Sequence, residues 1–84
     1  MRFTVLWTPA AESQLAALWL IASDQLAVTM AANTIDRRLA RNPESQGEAL
    51  FDTVRLMAIA PLAVEFEVLD ADRLVYVLSV WRVV

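Results

Sequence analysis

Thr53-Val54-Arg55-Leu56-Met57-Ala58-Ile59 runs through Ala60-Pro61 into Leu62-Ala63-Val64-Glu65-Phe66-Glu67-Val68-Leu69. Asp70-Ala71-Asp72 then leads into Arg73-Leu74-Val75-Tyr76-Val77-Leu78-Ser79-Val80-Trp81-Arg82. The middle segment decides the reading. Val64, Phe66 and Val68 alternate with Glu65 and Glu67, the period of a strand with one face buried and one wet. Proline and aspartate mark the turns on either side. The last segment is apolar at nearly every position, which suits a strand in the middle of a sheet. Residues 53–82 therefore predict a three-stranded antiparallel meander.

Working outward, the period before residue 48 is that of helices. Leu15, Leu18, Trp19 and Ala22 recur at i, i+3, i+4 and i+7. Thr8-Pro9 offers this helix an N-cap and a proline at its first position. Ser23-Asp24 offers a second cap, and Val28, Ala31, Ala32, Ile35 and Leu39 form a second stripe. Arg37, Arg38 and Arg41 fall in its last turns, where positive charge complements the helix dipole. Asn42-Pro43 ends it. So short a joint predicts an antiparallel helical hairpin lying over Val64, Phe66 and Val68. Arg2 to Trp7 reads as a strand, and Pro43 to Glu48, with the sole glycine Gly47, as a loop. The expected fold is α+β, ordered β-α-α-β-β-β, with the hairpin on a small, mainly antiparallel four-stranded sheet. Residues 1–84 read as one domain.

Composition narrows the chemistry. The chain has 84 residues, 58% of them hydrophobic, with no cysteine and no histidine. A His-based catalytic base and a Cys- or His-based metal site are excluded, and no cofactor or metal is expected. A small chain without disulfides relies on core packing or self-association. The longest uncharged apolar run, Leu56 to Val64, is far short of the roughly 20 residues a membrane helix needs. A soluble, cytoplasmic protein is expected. Net charge is −3 and all seven basic residues are arginine. Residues 1–41 carry four arginines against three acids, and residues 42–84 carry three against seven. A free-standing nucleic-acid binder usually shows a basic face, and here the second half is acidic.

Several stretches together resemble the RelE/ParE superfamily of toxins from type II toxin–antitoxin systems. They are Val5-Leu6-Trp7-Thr8-Pro9-Ala10-Ala11-Glu12, Ile35-Asp36-Arg37-Arg38-Leu39 with its Pro/Gly loop, Val54-Arg55-Leu56, Pro61 to Val68, and Asp72 to Trp81. The resemblance spans nearly the whole chain and rests on their order and spacing. It implies a toxin, of the plasmid-stabilisation kind, neutralised by a cognate antitoxin. It implies one of two activities: ribosome-dependent mRNA cleavage as an mRNA interferase, or inhibition of DNA gyrase by binding. A toxin fold acting only through protein–protein contacts is a third reading. The chain departs from RNA-cleaving relatives at Val80-Trp81-Arg82-Val83-Val84, where Trp81 stands at a position often held by histidine.

The candidate residues follow from that chemistry. Attack by a 2′-OH builds negative charge on a phosphorus-bound oxygen, and a guanidinium can grip two such oxygens. Arg55 matches the strand arginine of RNA-cleaving relatives. Its structural alternative is a cross-strand ion pair: a three-residue turn at Ala60-Pro61 would set it beside Glu65 and Glu67. Glu65 is the candidate base, or one of a solvated row with Glu67. Arg82 and Tyr76 are candidates for charge stabilisation and proton donation, although Tyr76 shares parity with Leu74, Leu78 and Val80 and so reads as core. Arg37, Arg38 and Arg41 are candidates for RNA phosphate contact, or simply helix-end charges. Of Trp7, Trp19 and Trp81, two are expected in the core. Trp81, in parity with Val75, Val77 and Ser79, is assigned to the open face as a partner anchor. An antitoxin helix or strand laid over the apolar surface, or a homodimer through the same surface, would use it.

Overall fold

In the computed structural model, which describes residues 2–83, the chain runs β1 (Thr4–Trp7), α1 (Pro9–Ile21), α2 (Gln25–Arg41), β2 (Glu48–Phe51), β3 (Val54–Ile59), β4 (Leu62–Leu69) and β5 (Leu74–Arg82). Single 3₁₀ turns at Pro43–Ser45 and Asp70–Asp72 join α2 to β2 and β4 to β5. The five strands form one sheet in the order β1-β5-β4-β3-β2. All neighbours are antiparallel except β1 and β5. The architecture is α+β, with two helices on one face of the sheet.

The local causes are those of the sequence. Thr8 caps α1, its Oγ1 accepting from the backbone N–H of Ala11 at 3.1 Å, with Pro9 at the first helical position. Val28, Ala31, Ile35 and Leu39 are the buried stripe of α2. They meet Met57, Val64, Phe66, Val68, Val75, Val77 and Val80 across a single core. Phe66, the largest fully buried side chain, lies at its centre. Removing an aromatic side chain from such a site typically costs about 3–5 kcal/mol.

Three expectations are corrected. The sheet has five strands, not four: Glu48–Phe51, partly read as loop, pairs antiparallel with β3. Asp52, at φ 47°, makes the reversal between them. A four-residue, fully exposed strand carries no alternation for a sequence to show. The turn at Ala60-Pro61 has two residues, with Ile59 paired to Leu62. Arg55 therefore stands opposite Phe66, on the helix side, and not beside Glu65 and Glu67.

The third correction concerns β5. The pairing of Glu65 with Ser79 and of Phe66 with Val77 leaves Leu78 as an extra residue, a β-bulge. One extra residue exchanges the faces. Val75 and Val77 are core before it and Val80 is core after it. Tyr76, expected inside with Leu78 and Val80, is instead half-buried on the open face, paired with Glu67. Trp81 keeps its expected open face, because the bulge lies between it and Val77.

Candidate functional site

The sheet separates the candidate residues into two sets. On the open face, Glu65 pairs with Ser79, Glu67 with Tyr76, and Ala63 with Trp81. Leu56 and Ala58 of β3 share that side. Glu67 accepts a hydrogen bond from the Thr53 hydroxyl at 2.8 Å. Glu65, Glu67 and Tyr76 are half-buried, and Trp81 is 38% exposed. The surface is apolar, with two carboxylates and one phenol at its middle.

The two strand arginines face the other way. Arg55 Nε donates to the Gln46 carbonyl at 2.9 Å, and its Nη2 donates to the Gly47 carbonyl at 3.2 Å. Its planar fork thus ties the loop after α2 to β3. Gly47 has φ +61°, and a Cβ there would lie 1.9 Å from the Leu56 carbonyl oxygen. Only glycine lets the loop come this close to β3.

Arg82, opposite Leu62 at the end of β5, makes a two-point contact with Asp24 in the joint between the helices. Nη1 donates to Oδ1 at 3.0 Å and Nη2 to Oδ2 at 2.7 Å. This hydrogen bond holds the Asp24 carboxyl below the usual carboxylate range and raises the Arg82 guanidinium above its own. Asp24 stands at the N-cap of α2, yet its side chain makes no capping bond. The carboxylate goes to Arg82 instead.

Arg37, Arg38 and Arg41 are exposed in the last turns of α2, as read, and Arg37 Nη2 also donates to Thr34 Oγ1 at 3.2 Å. None of the three tryptophans is fully buried, against the expectation of two. Trp7 Nε1 donates to Asp36 at 2.7 Å and Trp19 Nε1 to Thr29 at 3.1 Å. Both tryptophans line the groove between the helices, each with its indole N–H bound. Between α1 and α2 runs a groove of about 610 Å³, its walls including Leu15, Ala16, Trp19, Leu20, Val28 and Ala32. The sequence hid it, because Trp19 counted as one of the core stripe. Among the described residues no cluster of acidic side chains is placed to hold a metal ion. No helix among them is long and apolar enough to cross a membrane.

Sequence comparison finds no matching family model and no matching curated protein. Solved structures do match. A chain of the toxin–antitoxin complex RelBE2 from Mycobacterium tuberculosis superposes with a TM-score of 0.80 at 16% identity, covering 98% of this chain and 92% of that one. A chain of the chromosomal ParDE toxin–antitoxin system of P. aeruginosa gives 0.73 at 16% identity, covering 99% and 98%. The isolated E. coli RelE toxin gives 0.61 at 11% identity, covering 95% and 83%. At such identities the likeness is one of fold, and the fold of this chain is that of the RelE/ParE toxins.

Proposed function

We propose that this chain is the toxin of a type II toxin–antitoxin pair and that it acts by binding a protein target, not by cleaving RNA. The toxin part rests on the fold match along almost the full length of both chains. The mode of action rests on one observation. Arg55 and Arg82 lie on the helix side of the sheet, engaged with backbone carbonyls and with Asp24, while Glu65, Glu67 and Tyr76 lie on the open side. A phosphoryl site needs its cation beside its base, around one phosphate. Here the sheet stands between them. Two half-buried carboxylates would also repel the phosphates of a bound RNA. A ParE-like inhibitor of DNA gyrase needs no acid or base and suits this surface.

The partner that restrains it is a cognate antitoxin lying over the open face, with Trp81 as an anchor. Ribosome-dependent mRNA cleavage is the second reading. It is favoured by exposed Arg37, Arg38 and Arg41, which stand ready for phosphate.

Induced expression in a bacterial host tests both parts. The expected result is growth arrest with cellular mRNA intact, relieved by co-expressing the protein from the adjacent reading frame. Well-expressed, soluble chain with no effect on growth would sink the toxin reading. Arrest with mRNA cut at defined positions, abolished by Arg37→Glu with Arg38→Glu, would replace the binding mechanism with the nuclease.

A further inference from the structure

We infer that the groove between α1 and α2 binds a small organic cation, an ammonium or amidinium group carried on an apolar body about 10 Å long. The recess has the size of a small-molecule site, about 610 Å³ against the roughly 300–1,000 Å³ usual for one. Its lining has the matching character, apolar walls with polar groups at few points. Glu12 and Asp36 are its only charged walls among the described residues, and both are acidic. No arginine among those residues pairs with either, since the ion pairs are Arg73 with Asp70 and Arg82 with Asp24. The charge of the recess is therefore negative and uncompensated.

Hydrogen bonding points the same way. Both indole N–H groups are already spent, Trp7 on Asp36 and Trp19 on Thr29. The Glu12 carboxylate and the second oxygen of Asp36 remain to accept. A ligand must donate to them, and an ammonium donates without needing to accept. The groove also has two unlike ends. The Trp19–Thr29 bond lies near the joint of the helices. Glu12 stands seven residues before Trp19 and Asp36 seven residues after Thr29, so the acids mark an end about 10 Å away at 1.5 Å per residue. A cation seated there lies beside the Trp7 indole, and tryptophan is the aromatic that cations favour most. Its apolar body then covers Trp19 and Leu20, which are 40% and 70% exposed. An anion of the same shape would meet two carboxylates.

Tryptophan fluorescence is the test. Trp81→Phe leaves Trp7 and Trp19, both in the groove, as the only indoles of the chain. Titrating that chain with 4-phenylbutylamine, charged at neutral pH, should give a saturating change with a Kd on the order of 0.1–1 mM, ordinary for a ligand of about a dozen heavy atoms. The isosteric 4-phenylbutanol should bind about tenfold more weakly, and 4-phenylbutyrate more weakly still. Glu12→Gln should weaken the amine about three- to tenfold and leave the alcohol unchanged. Ala16→Phe, which fills the groove, should abolish both, with the circular-dichroism spectrum unchanged in each variant. No saturation up to ~10 mM amine overturns the proposal. So does equal binding of amine and alcohol, or an amine affinity indifferent to Glu12→Gln. An equal response to Nα-acetyl-lysine amide, which has the ammonium without the apolar end, would assign the groove to a side chain of a protein partner and would equally overturn it.

Discussion

Gly47 and Arg55 act as one unit, and their roles are separable by substitution. Gly47→Ala puts a methyl group against a backbone carbonyl that has no room to move, at a φ that alanine resists. The expected cost is roughly 2–4 kcal/mol, seen as a lowered urea midpoint with an unchanged slope. Arg55→Ala removes two charge-assisted hydrogen bonds at a half-buried site. A loss of about 1–2 kcal/mol is expected. If Arg55 is structural, toxicity in the arrest assay should fall only as far as the soluble folded fraction falls. Abolished toxicity in a fully folded Arg55→Ala protein would restore it as an active-site residue. The sequence could name this arginine but not its direction. One residue more or less in the Ala60-Pro61 turn sends it to the opposite face, and nothing in the composition of that turn reports its length.

At the scale of the element, the end of β5 shows how the strand is held where its neighbour stops. β1 ends at Trp7, and Thr8 N–H donates to the Val77 carbonyl at 3.1 Å. Beyond that point the Val80 N–H would face an empty edge, but Gln14 Oε1 of α1 accepts from it at 2.9 Å. The Thr8 hydroxyl reaches the Leu78 carbonyl at 3.3 Å. Helix α1 thus takes over the hydrogen bonding of a missing strand. Gln14→Leu should cost about 1–2 kcal/mol by leaving that N–H without its acceptor, measurable as faster hydrogen exchange at Val80. The Asp24–Arg82 pair then ties the strand end to the helical joint. Because the Asp24 carboxyl is held low, its contribution is complete above the ordinary carboxylate range and fades as pH falls through the lowered value. The Tm difference between the native chain and Asp24→Asn should therefore shrink as pH falls below the ordinary carboxylate range, and it should also shrink in high salt, since both groups face water. Both helices, β1, β3, β4 and β5 were legible from period and punctuation. The bulge was not, because a strand apolar on both faces has no alternation to break. Tyr76 was misassigned and Trp81 was not, since only residues before Leu78 change sides relative to Val80.

For the whole molecule, the two faces of the sheet have different work. The helix side buries the core and engages both strand arginines, Arg55 with the loop carbonyls and Arg82 with Asp24. The open side offers Leu56, Ala58, Trp81 and Tyr76 around two carboxylates, the recognition surface of the proposed antitoxin. Trp81→Ala should weaken the antitoxin complex by about 2 kcal/mol or more in calorimetry while leaving the thermal midpoint of the free chain nearly unchanged. The place of β5 has one more consequence. It is the last element of the order given above, yet it lies between β1 and β4 and carries Val75, Val77 and Val80 into the core. During synthesis, at roughly 5–20 residues per second, β1 waits several seconds for its neighbour. Until then β1 has no partner, and the sheet's interior edge stands open. A nascent chain of this topology cannot close its core before β5 is made, so the open face on which the proposed antitoxin would sit is completed only at that point.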